Sequence, residues 1–159
     1  MASNAPNPPL LDESLVQRLA ALASEIDGCD ESDANDLVQE FNSLAGTEIR
    51  YGEFQGIYGG EEHEDYVRRV LIRKFATAVS TLDRDQLTEM FRRISQNPTD
   101  EAYLEFAFAT IEKTFGDAQV SDLVFWPGSY FADGDDSREL TPEQMADAVL
   151  TRYNQRNVQ

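Results

Sequence analysis

Apolar residues return at three- and four-residue intervals through most of this chain, and glycine, proline or a capping residue closes each such stretch. That period marks amphipathic helices and leaves little room for a sheet. Leu11, Leu15, Leu19, Leu22 and Ile26 form the first stripe, over residues 10–26, and Gly28 closes it. Ser32 or Asp33 offers an N-cap for a second stripe of Leu37, Val38, Phe41 and Leu44, which ends at Gly46. A third spans about residues 62–80, with Tyr66, Val67, Val70, Leu71 and Phe75 on one face. The pattern then begins again. Leu87, Met90, Phe91 and Ile94 follow a cap at residues 82–85. Tyr103, Leu104, Ala107, Phe108, Ile111 and Phe115 follow the Asn97-Pro98-Thr99-Asp100 turn and stop at Gly116. Thr141-Pro142-Glu143 opens the last helix, with Met145, Ala148, Val149 and Tyr153 inward.

Two segments break the period. Residues 47–60 hold four glycines and scattered aromatics, compatible with a short helix and loop or with a small hairpin. Residues 121–126 are an apolar knot, Ser121-Asp122-Leu123-Val124-Phe125-Trp126, stopped by Pro127-Gly128 and followed by the acidic loop Asp133-Gly134-Asp135-Asp136-Ser137. The two halves echo each other: Val70-Leu71-Ile72-Arg73 and Val149-Leu150-Thr151-Arg152 lie 79 residues apart. The expected architecture is all-α, with a disordered arm at residues 1–9 and two similar helical units in tandem, 10–80 and 81–159, packed together or joined near 77–82.

With 159 residues and 41% hydrophobic content, the chain has the material for a core. Its charge of -17 disfavours direct binding to nucleic acid, which requires a basic surface, and to anionic membranes. Residues 100–147 carry twelve acidic side chains against Lys113 and Arg138, a field that steers a basic partner. Neither a membrane span nor a signal peptide is evident, so a cytoplasmic location is expected.

The chemistry-bearing residues do not assemble into an enzyme. One cysteine and one histidine exclude disulfides within the chain and the Cys- or His-pair zinc motifs. Cys29 stands among Asp27, Asp30 and Glu31, anions that disfavour a nucleophilic thiolate. His63, flanked by Glu61, Glu62, Glu64 and Asp65, reads as a surface histidine. The run from Asp133 has Arg138 and Gln144 where a calcium loop of the EF-hand type needs Gly and Glu. No cofactor or metal is expected. The knot is different, because adjacent aromatics on a short capped turn cannot both point inward. At least one is expected at the surface, where acid around an aromatic has the composition of a binding hot spot.

The string Ser121-Asp122-Leu123-Val124-Phe125-Trp126-Pro127, with Asp133-Gly134-Asp135-Asp136-Ser137 and a final helix behind it, resembles the colicin/pyocin DNase immunity protein family. That family reads Ser-Asp-Leu-Ile-Tyr-Tyr-Pro in the short third helix of a four-helix fold, followed by a Gly-Asp-Asp-Asp-Ser loop. The resemblance covers about residues 82–156, roughly half the chain. It implies an inhibitor that binds the basic nuclease domain of a bacterial toxin beside its active site and keeps nucleic acid out by bulk and charge. On this sequence it implies common binding energy from Asp122, Phe125 and Trp126, and partner choice from Leu104, Glu105, Phe108 and Glu112. The tyrosine pair is replaced here by Phe125 and Trp126, so both phenol hydroxyls are gone. Residues 10–80 lack the motif and read as a diverged or non-binding copy. Arg84, Arg92 and Arg93 offer a positive face to the acidic first half. The competing reading is an acidic interaction module, or a DNA mimic, that keeps this fold for another partner.

Overall fold

The computed structural model describes residues 5–57, 62–76 and 82–157. Among these residues the protein is all-helical, with nine helices and no strand. The chain divides into two compact units, one of residues 9–74 and one of residues 1–8 with 75–159. The expected junction near 77–82 lies, apart from Leu82, outside the described residues, as do residues 58–60 of the glycine-rich segment and the expected end of the third helix at residue 80.

The N-terminal unit contains α1 (Glu13–Asp27), α2 (Glu31–Ala45), the single turn α3 (Tyr51–Phe54) and α4 (His63–Ala76). Asp12 starts α1 by accepting the Ser14 and Leu15 N–H groups. The second helix starts earlier than expected: Asp30, not Ser32 or Asp33, is its N-cap residue. Gly46 ends it at φ 69°, the left-handed conformation that favours glycine. Residues 51–54 resolve the helix-or-hairpin alternative in favour of helix. Phe54 from that turn is buried edge-on to Phe41, with ring centroids 4.9 Å apart. Val16, Leu19, Leu22, Ile26 and Val67 close the core around it. His63 is not a surface side chain. It lies 2.9 Å from the Asp27 carboxylate, and both side chains are nearly nine-tenths buried. The end of α1 turns back on α3 and α4, which brings the two together although they are 36 residues apart.

The C-terminal unit contains α5 (Arg84–Gln96), α6 (Glu101–Phe115), two short turns α7 (Val120–Phe125) and α8 (Pro127–Tyr130), and α9 (Pro142–Asn157). Asp83 and Gln86 cap α5 reciprocally, as Thr141 and Gln144 cap α9. Helix α5 packs along α9, while α6 touches α5, α7 and α9. Leu87, Met90, Phe91, Ile94, Ile111, Leu123 and Val149 form the core, and each large side chain buried there is worth about 1.5–3 kcal/mol. The arginines of α5 are paired within this unit: Arg84 with Asp147, Arg92 with Glu89 and Glu143, Arg93 with Glu89 and Asn7. Each of these arginines thus has a partner on α9, on α5 itself or in residues 5–8. Those residues also depart from the expected disordered arm, since Ala5 is buried in the core cluster.

Candidate functional site

The order of inward and outward residues along α7 follows from its length. Val120 and Leu123, three apart, share one face and are buried at 2% and 1% exposure. Phe125 falls on the opposite side and Trp126 lies beyond the last turn, so neither reaches the core. They are 43% and 59% exposed. Pro127 disfavours helical geometry at the residue before it, and Trp126 sits at φ −139°, ψ 64°, between the two turns. Its N–H still donates to the Asp122 carbonyl at 2.7 Å, and its own carbonyl accepts from Ser129 at 2.9 Å. The break therefore holds the indole backbone at both ends while leaving the ring outside.

Helix α6 supplies the neighbouring face. Phe108 meets Phe125 edge-to-face, with centroids 6.0 Å apart, and Leu104 and Phe108 both rest on the core with one side. Glu105, Glu112 and Asp122 are half-buried. Of the expected binding residues, Phe108 and Phe125 are in ring contact, and Phe125 and Trp126 present apolar area to solvent.

Behind the exposed pair is a polar anchor that the sequence pattern did not single out. Asp117 is 1% exposed and accepts from the Tyr130 hydroxyl at 2.6 Å, from the Gln119 N–H at 3.1 Å and from Arg152 Nη1 at 3.2 Å. The Arg152 guanidinium also donates to the Tyr130 carbonyl and lies over the Tyr130 ring, 3.7 Å from its centroid. This ties α8 to α9 and to the α6–α7 turn. Burial first, then the hydrogen bond to Asp117, pushes the Tyr130 phenol far above the ordinary tyrosine value of 10.0. In sequence Asp117 looks like one more acid after a helix-ending glycine, and only the three-dimensional return of α9 distinguishes it.

The acidic loop is built rather than loose. Asp136 accepts the Gly128 N–H at 2.9 Å, while Asp133 and Gly134 donate their N–H groups to the Gly128 carbonyl, both at 3.1 Å. A Cβ at Gly128 would stand 2.6 Å from the Asp135 nitrogen, so only glycine allows this approach. Asp133 and Asp135 accept backbone N–H groups two residues ahead, and Asp133 also pairs with Arg138. The Asp135 N–H, and then Arg138, hold the Asp133 carboxyl below its ordinary range. Arg138 stacks on Phe131, another exposed aromatic, which follows α8. With the loop carboxylates turned to their own backbone, no group of three His, Cys, Asp or Glu side chains among the described residues is arranged to hold a metal ion. No helix among those residues is long and apolar enough to cross a membrane.

No protein-family model matches the chain, and comparison with curated proteins and with solved structures finds no match.

Proposed function

We propose that this protein is a bacteriocin immunity-type inhibitor that binds the basic nuclease domain of a bacterial toxin in the cytoplasm of the producing cell. The C-terminal unit docks beside the nuclease active site, and its bulk and negative charge keep nucleic acid away. Phe125 and Trp126 are the anchor, Asp122 stands beside them, and Leu104, Glu105, Phe108 and Glu112 on α6 select the partner. The protein is an inhibitor rather than an enzyme.

The observation that carries this reading is the joint exposure of Phe125 and Trp126 on one braced turn, beside an acidic loop fixed to Gly128. Exposed aromatics on a rigid support bind with little loss of side-chain freedom. Charge around them speeds encounter with a basic surface and fixes orientation. The element order, long, long, short and long, with the short step doubled as α7 and α8, is compatible with the four-helix immunity fold that the motif suggested.

The test is titration of the purified protein into nuclease domains of colicin and pyocin type, alongside capture from lysate of the native organism. A basic nuclease bound one to one, its cleavage of DNA or RNA blocked, and a loss of at least about 2 kcal/mol on Trp126→Ala support the reading. Retention of the same partner at the same affinity by a folded Phe125→Ala/Trp126→Ala variant refutes the anchor. Binding that instead collapses with moderate salt, and with neutralisation of several acids together, identifies a charge mimic.

A further inference from the structure

Residues 100–147 contain two cations, Lys113 and Arg138. Lys113 stands in the last turn of α6, where a positive side chain meets the negative end of the helix dipole. Arg138 has no such reason, since it lies in the loop between α8 and α9. It is nonetheless fixed. Its guanidinium pairs with Asp133 and lies over the Phe131 ring, 4.4 Å from the centroid, with the side chain still 29% exposed. Phe131 is backed in turn by the buried Tyr130 ring, edge-on at 5.2 Å, and stays 40% exposed. The backbone is set as well. The Phe131 N–H donates to the Pro127 carbonyl at 3.0 Å, and Ala132 turns the chain at φ 58°, the one positive value of a non-glycine residue among the described residues.

We infer that Phe131 and Arg138 form a second partner contact, and that Arg138 selects, among basic nuclease domains, those that present a carboxylate opposite it. The selection rests on the inhibitor reading and adds two residues that lie outside both α6 and the aromatic knot. Trp126 and Phe131 flank the single turn α8, about 6 Å long, close enough to fall within the about 800 Å² that a standard interface buries on each side. Stability does not account for the pair. An exposed ion pair and a surface cation–ring contact each add little. Arg138 Nη1 is buried without a hydrogen-bond partner, which is a cost to the free protein. Charge decides what the partner must offer. A cation held in an acidic face repels a basic surface at that point unless an anionic group faces it. The guanidinium is already oriented by Phe131 and Asp133, so little side-chain freedom is lost when a carboxylate meets its exposed edge. A nuclease domain with lysine or arginine there is rejected, which is discrimination by repulsion.

The test measures association and dissociation of the full chain with purified nuclease domains of colicin and pyocin type, and with a nuclease captured from lysate of the native organism. Helical content is checked for each variant. Arg138→Gln makes the chain more acidic, so steering alone predicts faster association and tighter binding to a basic domain. The contact predicts weaker binding, with dissociation faster by about tenfold or more and a smaller ratio between the best- and worst-bound domains. Phe131→Ala is expected to speed dissociation by about tenfold. Asp133→Asn is the control: it removes the internal ion pair, keeps an oxygen for the Asp135 N–H, and is expected to hold affinity within about threefold. Tighter or unchanged binding by Arg138→Gln overturns the inference, as does wild-type dissociation in Phe131→Ala. Equal loss in Arg138→Gln and Asp133→Asn also overturns it, since Arg138 would then only fasten the loop. In each of these cases, loss of affinity on Trp126→Ala leaves the inhibitor reading standing. Wild-type protein that binds no basic nuclease overturns that reading, and this inference with it.

Discussion

Asp117→Ala removes the acceptor at the centre of the C-terminal unit, and the structure sets the size of the effect. The Tyr130 hydroxyl, in a side chain only 3% exposed, is left without a partner, at a cost of about 1–3 kcal/mol. The Gln119 N–H loses its turn-forming bond, worth about 0.5–1.5 kcal/mol. Arg152 loses less, since its side chain is 27% exposed and it keeps the Tyr130 carbonyl and Gln119 Oε1. Solvent screening limits that part to under about 1 kcal/mol. The sum is about 3 kcal/mol, or more than about 10 °C in the melting temperature of a unit this size. Asp117→Asn keeps an oxygen for Tyr130 and is expected to lose about half as much. Thermal and urea unfolding, followed by helical circular dichroism, measure both variants. A double-mutant cycle with Tyr130→Phe is expected to show coupling of at least about 1 kcal/mol. A melting temperature for Asp117→Ala within about 2 °C of wild type would refute the claim that this carboxylate fastens α8 to α9.

Further outcomes follow from the same geometry. Trp126 is the chain's single tryptophan, so its emission is expected to be that of a hydrated indole and readily quenched by acrylamide; a blue-shifted, protected signal would place it in the core. Gly128→Ala drives a Cβ into the Asp135 backbone and is expected to destabilise the unit by about 1–3 kcal/mol, with the acidic loop displaced in amide spectra. Burial raises the Tyr103 and Tyr130 phenols above 10.0, so the folded unit binds these protons more tightly than the unfolded chain. The stability this gives is complete below pH 10.0 and is lost as pH rises through the folded values. Alkaline unfolding that shifts in Tyr130→Phe checks it. In the N-terminal unit, hydrogen bonds from Arg68 hold Glu13 and Glu64 below the ordinary value of 4.5. Their contribution is present above that pH and lost as pH falls through the lowered values, and Arg68→Ala is expected to flatten this acid dependence.

The helices were legible because their information is local. Period, caps and glycine stops lie within a few residues of each other, and Gly28, Gly46, Asp83, Asp100, Gly116 and Thr141 occupy the boundary positions assigned from them. What sequence reading missed depends on returns of the chain. His63 reads as solvated because acids flank it in sequence, yet its partner, Asp27, is 36 residues away. Arg84 and Arg92 carry no local sign of their pairing with Asp147 and Glu143, which arrive only with α9. Ala5 carries no local signal of burial at all, since its neighbours are prolines and asparagines. The candidate site divides the same way. Exposure of at least one knot aromatic followed from the shortness of the turn, whereas the brace beneath it, Asp117 with Tyr130 and Arg152, required α9 to be folded back.

The short helices α3 and α7 use their aromatics differently. Both carry aromatics, and the difference is where the turn ends. In α3 the last residue is Phe54, which lies fully buried between Phe41 and Tyr66, while the Tyr51 hydroxyl donates to the Cys29 carbonyl at 2.6 Å. These rings are spent on holding the N-terminal unit together. In α7 the buried positions are taken by Val120 and Leu123, so Phe125 and Trp126 are surplus to the core and face solvent. Exposing large aromatic area costs stability without a folding gain in return. Under the proposed inhibition a partner surface covers that exposure at α7, where α3 presents no comparable aromatic area. Inhibition measured with Trp126→Ala and with Phe54→Leu is therefore expected to separate: the first loses binding in a protein of wild-type stability, the second loses stability in a protein that still binds. Equal loss of binding in the two variants at matched stability would assign the interface to both units.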